Sequence, residues 1–201
     1  AHYCPDLNDT KTAKEGDIIK LDCGAEKEGY VSDNAVTVDL GSGTKLKEAS
    51  EAALRAAIRL ARPGNKTNEL GAAIEEQAIK YGYSPIRNLS GHGIGRYSVH
   101  ESPSIPNFNP GNGATLKEGD SIAIEPFITT GEGFVSETEP NGVYMMLQKK
   151  PVRSQFARNA LKIIEGYKGL PFAKRWLEKE LGSAKANFGI RELEKAGILR
   201  A

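Results

Sequence analysis

Three carboxylates and a histidine are the side chains most able to do chemistry together in this chain. The segment KEGDIIKLD at residues 14–22 returns 103 residues later as KEGDSIAIE at residues 117–125, and each copy ends on an acid. In both copies a charged turn with a glycine precedes an apolar stretch typical of a strand. Two duplicated halves would bring Asp22 and Glu125 to one centre. The alternative to duplication is that KEGD is a common turn sequence, which precedes a strand at both places by chance.

A third carboxylate, Asp33, is expected close to Asp22. Residues 17–23 and 30–40 are predicted to be strands joined by a hairpin loop from residue 24 to residue 29. If Lys27 and Glu28 form a two-residue turn, Asp22 lies directly across from Asp33, with Cβ atoms about 5 Å apart. Ionised carboxylates that close repel, which favours a cation or a shared proton between them. A longer loop would shift the register and send Asp33 to solvent.

The chain has three histidines, His2, His92 and His100, and His92 is flanked by glycines in the run GHGIG. Glycines remove side-chain bulk, so the imidazole of His92 can approach a metal ion or ligand closely. His100 follows after an even number of residues and can lie on the same face of an extended segment. An isolated Gly-His-Gly would favour a loop histidine, but the three carboxylates favour a metal site.

Three carboxylates with one imidazole form an oxygen-rich site that suits Mn²⁺, Fe²⁺, Co²⁺ or Zn²⁺. Bridging carboxylates can hold two metal ions about 3.5–4 Å apart, with a shared water that attacks a carbonyl as hydroxide. The sequence has no Gly-x-Ser-x-Gly elbow and no P-loop, and GHGIG breaks the dinucleotide pattern at its third glycine. These features predict metal-dependent hydrolysis without a covalent intermediate.

The order of the predicted elements indicates an α+β fold. With 201 residues, 39% apolar and 26% charged, the chain can bury a real core. Apolar residues at helical spacing predict helices at residues 45–62 and 69–80 after the first hairpin. Strands follow again, and an α+β fold explains this order better than a doubly wound sheet. We predict a catalytic domain at residues 1–148 and a helical subdomain at residues 149–201.

The C-terminal region is predicted to hold three short helices, at residues 154–167, 172–181 and 183–196, with Ser154 and Ser183 as N-caps. Residues 149–201 contain 13 Lys and Arg against 5 Asp and Glu, a net +8, while residues 1–148 carry −7. This basic region either faces an anionic partner such as ribosomal RNA or forms solvated helix faces. A helix-turn-helix reader of nucleic acid is disfavoured, because no basic recognition helix stands out.

The expected compartment follows from features that the sequence lacks. No run of about 18 apolar residues and no charged-then-apolar leader occur, so we expect neither a membrane span nor a secretory signal. Two cysteines, Cys4 and Cys23, are too few for a disulfide framework, which favours reduced thiols in the cytoplasm. Cys23 is expected to be a small core residue on the strand face opposite Asp22. We expect a cytoplasmic monomer.

Four motifs together resemble methionine aminopeptidase, type 2, in an archaeal-like form. They are KLDCG at residues 20–24, GYVSDNAVTV at 29–38, NLSGHGIGRY at 88–97 and AIEPF at 123–127. The two aspartates keep the family's eleven-residue spacing, and residues 151–197 look like the helical insertion that separates type 2 from type 1. The resemblance implies the pita-bread α+β fold, with duplicated halves related by a pseudo-two-fold axis through a dinuclear metal site.

The resemblance also assigns the metal ligands. It implies that Asp22 chelates one metal ion, that Asp33 bridges two, and that His92 and Glu125 hold the second. The ions would be two divalent metals from among cobalt, manganese, iron and zinc. Glu125 is also the implied proton acceptor for the attacking water.

On the substrate side, the resemblance implies that His100 contacts the scissile amide and steadies the tetrahedral intermediate, and that His2 is a second substrate-side histidine. Val99 and Pro171 fall where the family lines its methionine pocket. The family's last ligand is a glutamate on a strand after the helical insertion, whereas this chain ends at Ala201 before such a strand and also lacks the family's segment ahead of His2. We therefore expect either a fragment of a longer protein or a trimmed chain without its second bridging carboxylate.

The function implied by the resemblance is that of a cytoplasmic metalloexopeptidase, which removes the initiator methionine from nascent proteins with a small second residue. Proline dipeptidase is an alternative that shares the fold and the His-Gly run, but the helical tail and DNAVT at residues 33–37 disfavour it. The other alternative is a catalytically inactive pita-bread protein that binds ribosomes or RNA. The basic tail and the missing ligand favour that alternative, whereas the intact set of Asp22, Asp33, His92 and Glu125 disfavours it.

Overall fold

Helices and antiparallel strands form two compact units along the chain. The computed structural model describes residues 3–41, 43–136 and 141–201. One unit is Thr12–Ser136, and the other comprises the described residues of Ala1–Lys11 and Glu137–Ala201. The predicted α+β class is confirmed, because both units combine helices with antiparallel sheets.

A long hairpin opens the Thr12–Ser136 unit, with β1 at Ile18–Lys27 and β2 at Tyr30–Asp39. Strand β1 extends four residues further into the predicted loop than the sequence analysis expected, whereas β2 begins at Tyr30 as predicted. The turn is formed by Glu28 and Gly29, which have φ angles of +56° and +88°. Positive φ at both central residues marks a type I′ turn, whose twist matches that of the strands it joins.

The register of this hairpin differs from the prediction. Asp22 lies across from Ala35, and Asp33 lies across from Gly24. The expected direct pairing of Asp22 with Asp33 is wrong, because the turn begins one residue later than Lys27 and shifts every partner by two. The two aspartates still share one face of the hairpin as diagonal neighbours.

The repeated KEGD segments adopt the same turn. Lys14 N donates to Asp17 Oδ2 over 2.9 Å, and Lys117 N donates to Asp120 Oδ2 over 2.7 Å. Gly16 has φ +89° in the first copy and Gly119 has φ +88° in the second. The strands that follow are unequal. Asp22 lies inside the ten-residue β1, whereas Glu125 lies two residues beyond the short β6 at Ile122–Ala123.

Two helices pack on the sheet that follows the hairpin. They are α1 at Thr44–Leu60 and α2 at Thr67–Lys80, close to their predicted ranges. The remaining strands of this unit are β3 at Ser84–Pro85, β4 at Ser90–Gly95, β5 at Ser98–Pro106, β6 and β7 at Ile128–Thr129. They pair in the antiparallel orders β5-β4-β6 and β3-β7. The buried core between helices and strands contains Ala53, Ala57, Leu70, Ile74, Ile105 and Leu116.

The other unit combines a small sheet with three helices. Its elements are β8 at Val143–Met146, α3 at Gln155–Ile164, a 3-10 turn at Glu165–Tyr167, β9 at Phe172–Ala173, α4 at Lys174–Leu181, α5 at Ser183–Lys195 and β10 at Leu199–Arg200. The predicted domain boundary between residues 148 and 149 differs from the boundary between the two compact units, which follows Ser136. Strand β8 pairs with both β9 and β10 and so belongs with the helices that follow it.

One of the two predicted N-caps in this unit is confirmed. The Ser154 side chain accepts a hydrogen bond from Ala157 N over 3.4 Å at the start of α3. The other prediction is wrong, because Ser183 is the first residue of α5 and Gly182 occupies the cap position. Gly182 has φ +79°, so α4 ends and α5 begins around a single left-handed residue.

Two further expectations concern membrane helices and cysteines. Across the described ranges, no helix is long and apolar enough to cross a membrane. Cys4 and Cys23 are both free thiols, as predicted. Cys23 is exposed, however, so the prediction of a small core residue is wrong. The hairpin face that carries Cys23 is not covered by the core.

The shared geometry of the KEGD turns leads to a first prediction. Gly16→Ala and Gly119→Ala should each lower the free energy of unfolding by about 1 kcal/mol, because alanine resists positive φ. Both glycines face open space, so no steric clash adds to this cost. Denaturant unfolding of the two variants measures it. Gly131→Ala is the matched control without positive φ. Unequal losses for Gly16 and Gly119 would contradict the equivalence of the turns.

Candidate metal centre

Three side chains converge on one point in the Thr12–Ser136 unit. His92 Nε2 lies 2.9 Å from Glu125 Oε1 and 3.4 Å from Asp33 Oδ2. One ligand atom from each residue lies within 4.8 Å of the other two. The side chains of His92, Asp33 and Glu125 are 10%, 17% and 26% exposed. The cluster is thus largely shielded from water, which strengthens its electrostatic interactions.

Separate strands supply these three residues. Asp33 is on β2, His92 is on β4, and Glu125 follows β6. The strands around His92 lie so close together that a Cβ atom at Gly91 would clash with Ala123 O, and one at Gly93 would clash with Ser102 O. The glycines of the GHGIG run therefore let β4 fit between β5 and β6 with the imidazole directed at the two acids.

A hydrogen bond with the backbone defines the chemistry of the imidazole. His92 Nδ1 lies 3.0 Å from Gly93 O. A carbonyl oxygen only accepts, so Nδ1 carries the proton in this bond. In the neutral ring, Nε2 then offers a lone pair to the same space that the oxygens of Asp33 and Glu125 occupy. Three electron-rich atoms so close to one another fit a bound cation, and a metal-ligating histidine commonly has this tautomer.

The electrostatics of Glu125 reflect the crowding of acids at this point. Burial raises the pKa of the Glu125 carboxyl, the positive charge that His92 can carry lowers it, and the carboxylates of Asp33 and Asp22 raise it. The net direction is upward, because desolvation and two neighbouring acids outweigh one imidazole. A divalent cation would relieve the repulsion among these acids. The donor set therefore fits the metal ions that the sequence analysis predicted.

Asp22 lies near this cluster but outside its tightest group. Asp22 acts electrostatically on Glu125, and its register on β1 gives it the same hairpin face as Asp33. The ligand atoms that lie within 4.8 Å of one another belong to Asp33, His92 and Glu125 only, among the described residues. The role of Asp22 as a metal ligand stays a prediction.

His100 contacts the metal-centre histidine directly. The rings of His92 and His100 have centroids 4.3 Å apart and planes at 81°, an edge-on contact. The expectation that both would lie along one extended segment is wrong, because the chain turns at Arg96 and Tyr97 and returns as β5. His100 thus reaches His92 across a hairpin. Its side chain is exposed and can meet a ligand from solvent, while the neighbouring Val99 is half-buried.

Two predicted substrate-side residues cannot be placed at this centre. His2 lies outside the described residues. Pro171 is in the other compact unit, directly before β9, and is half-buried. Their assignment to the substrate side stays a prediction.

The sequence analysis missed a buried amide that supports the centre. Asn107 is fully buried, and its Nδ2 donates to Leu89 O over 3.0 Å. Its Oδ1 accepts from Phe127 N over 3.4 Å. Leu89 precedes His92 by three residues and Phe127 follows Glu125 by two, so one side chain ties the two ligand-bearing segments together. No local pattern marks Asn107, because its role depends on contacts between distant segments.

Comparison with known proteins identifies the family. Residues 1–158 match the model of metallopeptidase family M24. The methionine aminopeptidase of Archaeoglobus fulgidus is 48% identical over 202 residues, an alignment that covers 100% of this chain and 68% of the relative. The chain belongs to metallopeptidase family M24. Its candidate metal centre is thus found in a family of metal-dependent peptidases.

Solved structures extend this family assignment. The methionine aminopeptidase from Thermotoga maritima is 37% identical with a TM-score of 0.60, covering 64% of this chain and 53% of that structure. A thermophilic Arx1 covers 98% of this chain and 63% of its own, with a TM-score of 0.83 at 18% identity. The Arx1 likeness shows the fold alone. The M24 relatives confirm the predicted pita-bread fold and the predicted class of metal-dependent methionine aminopeptidase.

The geometry of the centre leads to a second prediction. Asp33→Asn should weaken Mn²⁺ binding at least about tenfold, because the amide keeps the shape of the side chain but removes the charge. Titration calorimetry with Mn²⁺ measures the affinity. Glu118→Gln, an exposed acid in the second KEGD turn, is the control of equal charge change and should bind as the unmodified chain does. Equal affinity of the Asp33→Asn and Glu118→Gln variants would contradict the centre.

Proposed function

We propose that this chain is a type 2 methionine aminopeptidase that removes the N-terminal methionine from nascent proteins with a small second residue. The observation that carries the proposal is the convergence of Asp33 and Glu125 on His92 Nε2. The match to archaeal methionine aminopeptidases over the whole chain supports the substrate class. That match includes the helical residues 149–201, which supports the type 2 assignment.

The proposed ligands are Asp22, Asp33, His92 and Glu125, with Asp33 between two divalent ions. Mn²⁺, Fe²⁺, Co²⁺ and Zn²⁺ all accept carboxylate oxygens with one imidazole nitrogen. When bound, such ions polarise the scissile carbonyl and lower the pKa of a water to near neutrality. The Nδ1 hydrogen bond to Gly93 O supports the role of His92, because it holds the ring in the orientation that a ligand needs.

Glu125 is proposed to accept the proton of the attacking water. Its Oε1 lies 2.9 Å from His92 Nε2, which supports this role because a water bound at the centre would be within its reach. Pro126 O accepts from Ser50 Oγ over 3.1 Å, and Phe127 N donates to Asn107. These two bonds hold the backbone beside Glu125, so its carboxylate keeps a defined position during proton transfer.

The other proposed roles concern the substrate. His100 is exposed beside His92, and this supports a contact with the scissile amide and with the oxyanion that forms there. We propose His2 as a second substrate-side histidine, and Val99 and Pro171 as part of the methionine pocket. An apolar pocket of this kind would favour the unbranched methionine side chain.

This function predicts different defects for the two histidines. After chelation and readdition of Mn²⁺ or Co²⁺, the chain should release free methionine from a Met-Ala-Ser peptide. His92→Ala should lose both metal content and turnover, whereas His100→Ala should keep its metal and lose about 100-fold in kcat, because it stabilises charge that develops in the reaction. Metal content by atomic emission and methionine release by chromatography measure the two effects.

The alternatives have their own outcomes in the same assay. Asp33→Ala is the inactive control, and Cys23→Ser should retain turnover. Release of the first residue from Ala-Pro but not from Met-Ala-Ser would favour proline dipeptidase. An inactive pita-bread protein would bind no transition metal at stoichiometric level. Substantial turnover of the His92→Ala protein would exclude the proposed metal assignment.

We also propose that the enzyme works as a cytoplasmic monomer and meets nascent chains at the ribosome. The net charge of +8 over residues 149–201 supports an anionic partner. An open depression of about 520 Å³ on the surface of this region is lined by four basic side chains and one acidic side chain. They are Lys149, Lys150, Arg158, Lys162 and Glu165. Lys149 is paired with Glu165 over 2.7 Å, so the remaining three carry the excess charge.

The ribosome proposal is tested by charge reversal. Lys150→Glu with Lys162→Glu should reduce co-sedimentation with ribosomes and weaken its dependence on salt, because fewer phosphates are neutralised. Lys45→Glu, an exposed reversal at the first turn of α1, is the control and should change little. Unchanged co-sedimentation of the double variant would exclude this partner for the basic region.

A further inference from the structure

Two hairpin turns of the Thr12–Ser136 unit contact each other. One is the Glu28–Gly29 turn of the β1–β2 hairpin, and the other is the Arg96–Tyr97 turn between β4 and β5. Tyr97 N donates to Gly29 O over 2.8 Å, and Arg96 Nε donates to Glu28 O over 3.0 Å. Two backbone carbonyls of one turn are thus bound by the other turn.

Side-chain packing closes this contact. Gly29 is buried although Glu28 and Tyr30 on either side are exposed. A Cβ atom at Gly29 would lie 2.6 Å from Tyr97 Cδ2 and 2.8 Å from Arg96 Cγ, so only glycine fits under these side chains. The Arg96 guanidinium lies 5.5 Å from the ring centroid of Tyr30 and 5.7 Å from that of Tyr97, within the range of cation–π attraction.

The backbone of the Arg96–Tyr97 turn is strained at Tyr97, the residue that makes this contact. Tyr97 has φ +57°, a left-handed conformation that is rare for a bulky aromatic residue. Strain of this kind persists where the surrounding structure holds it and concentrates near functional sites. Here the strained residue presents its N–H to Gly29 O and its ring to Gly29 Cα. The contact therefore depends on Tyr97 in this one conformation.

The ligands lie at equal distances along the chain from the contact. Asp33 follows Gly29 by four residues on β2, and His92 precedes Arg96 by four residues on β4. In the described part of the chain, β1 and β2 pair only with each other, and β4 pairs with β5 and β6. No ladder of backbone hydrogen bonds therefore fixes β2 beside β4 where Asp33 meets His92. The turn contact can supply that constraint.

We propose that Arg96 and Tyr97 are positioning residues that hold Asp33 against His92 and Glu125, and so set the metal affinity of the centre. This inference rests on the proposed function, because it takes the cluster as a metal site. Neither residue touches the ligand atoms. Both act through the hairpin, by limiting how far β2 can move away from β4.

The test uses the whole 201-residue chain and Mn²⁺ alone as the probe. Arg96→Ala and Tyr97→Gly should each raise the Mn²⁺ dissociation constant about tenfold or more, while the far-ultraviolet spectrum stays that of the folded chain. Tyr97→Gly keeps the N–H and can adopt the same positive φ without strain, so it tests the loss of the ring. Tyr97→Phe keeps the packing over Gly29 and should bind within about twofold of the unmodified chain.

Arg87→Ala is the matched control for a general loss of stability. Arg87 also lies over an aromatic ring, 4.7 Å from the Phe108 centroid, and pairs with Glu75 over 2.8 Å in the same unit. Its removal should lower stability without changing Mn²⁺ affinity. Hydrogen exchange in the metal-free chain gives a second readout. Residues 30–33 should exchange faster in Arg96→Ala and at the unmodified rate in Arg87→Ala.

The outcomes separate this inference from the proposed function. If the unmodified chain binds Mn²⁺ through Asp33, and Arg96→Ala and Tyr97→Gly bind equally well, the inference is overturned and the metal centre stands. If Arg87→Ala weakens binding as much as Arg96→Ala, the effect is one of stability and the inference is also overturned. If the unmodified chain binds no Mn²⁺, or Asp33→Asn binds equally well, the metal centre and the inference both fail.

Discussion

The hydrogen bond between His92 Nδ1 and Gly93 O determines which edge of the imidazole meets Asp33 and Glu125. With Nδ1 as the donor, Nε2 presents a lone pair to two carboxylate oxygens, 2.9 and 3.4 Å away. Such a group repels itself unless a positive charge is shared among its members. The rest of the unit can be understood as the structure that brings these three side chains together against that repulsion.

Backbone contacts supply most of this structure. Glycines 91 and 93 let β4 lie close to its two neighbours, so His92 is carried by the central strand of a three-stranded sheet. The segment after Glu125 is held from two sides, by Ser50 on α1 and by Asn107 at the end of the β5 region. The hairpin with Asp33 is held less tightly, since its strands form a separate sheet. The centre therefore combines two rigid ligands with one on a more independent element.

Much of this arrangement could be predicted from local patterns. Apolar spacing located α1 and α2, the KEGD repeat pointed to Glu125, and the Gly-His-Gly run pointed to His92. Asp33 was expected at the centre from a hairpin pairing that the structure does not have. The register of the first hairpin could not be fixed in this way, because a two-residue turn at Lys27–Glu28 and one at Glu28–Gly29 both satisfy the strand pattern. The glycine at the second turn position favours the observed choice. Asn107 and the Arg96–Tyr97 turn gave no signal, because their contacts join segments far apart in sequence.

The three converging residues also have a consequence for the folding equilibrium. Asp33, His92 and Glu125 are separated by 59 and 33 residues, so an ion held by all three would act as a reversible cross-link between distant segments. Closing loops of this length costs chain entropy, and a ligand that binds only the folded state offsets that cost by mass action. At an ion concentration 100 times its dissociation constant, the gain would be about 2.7 kcal/mol. The free metal concentration in the cell would then govern how much of the protein is folded as well as how much can react.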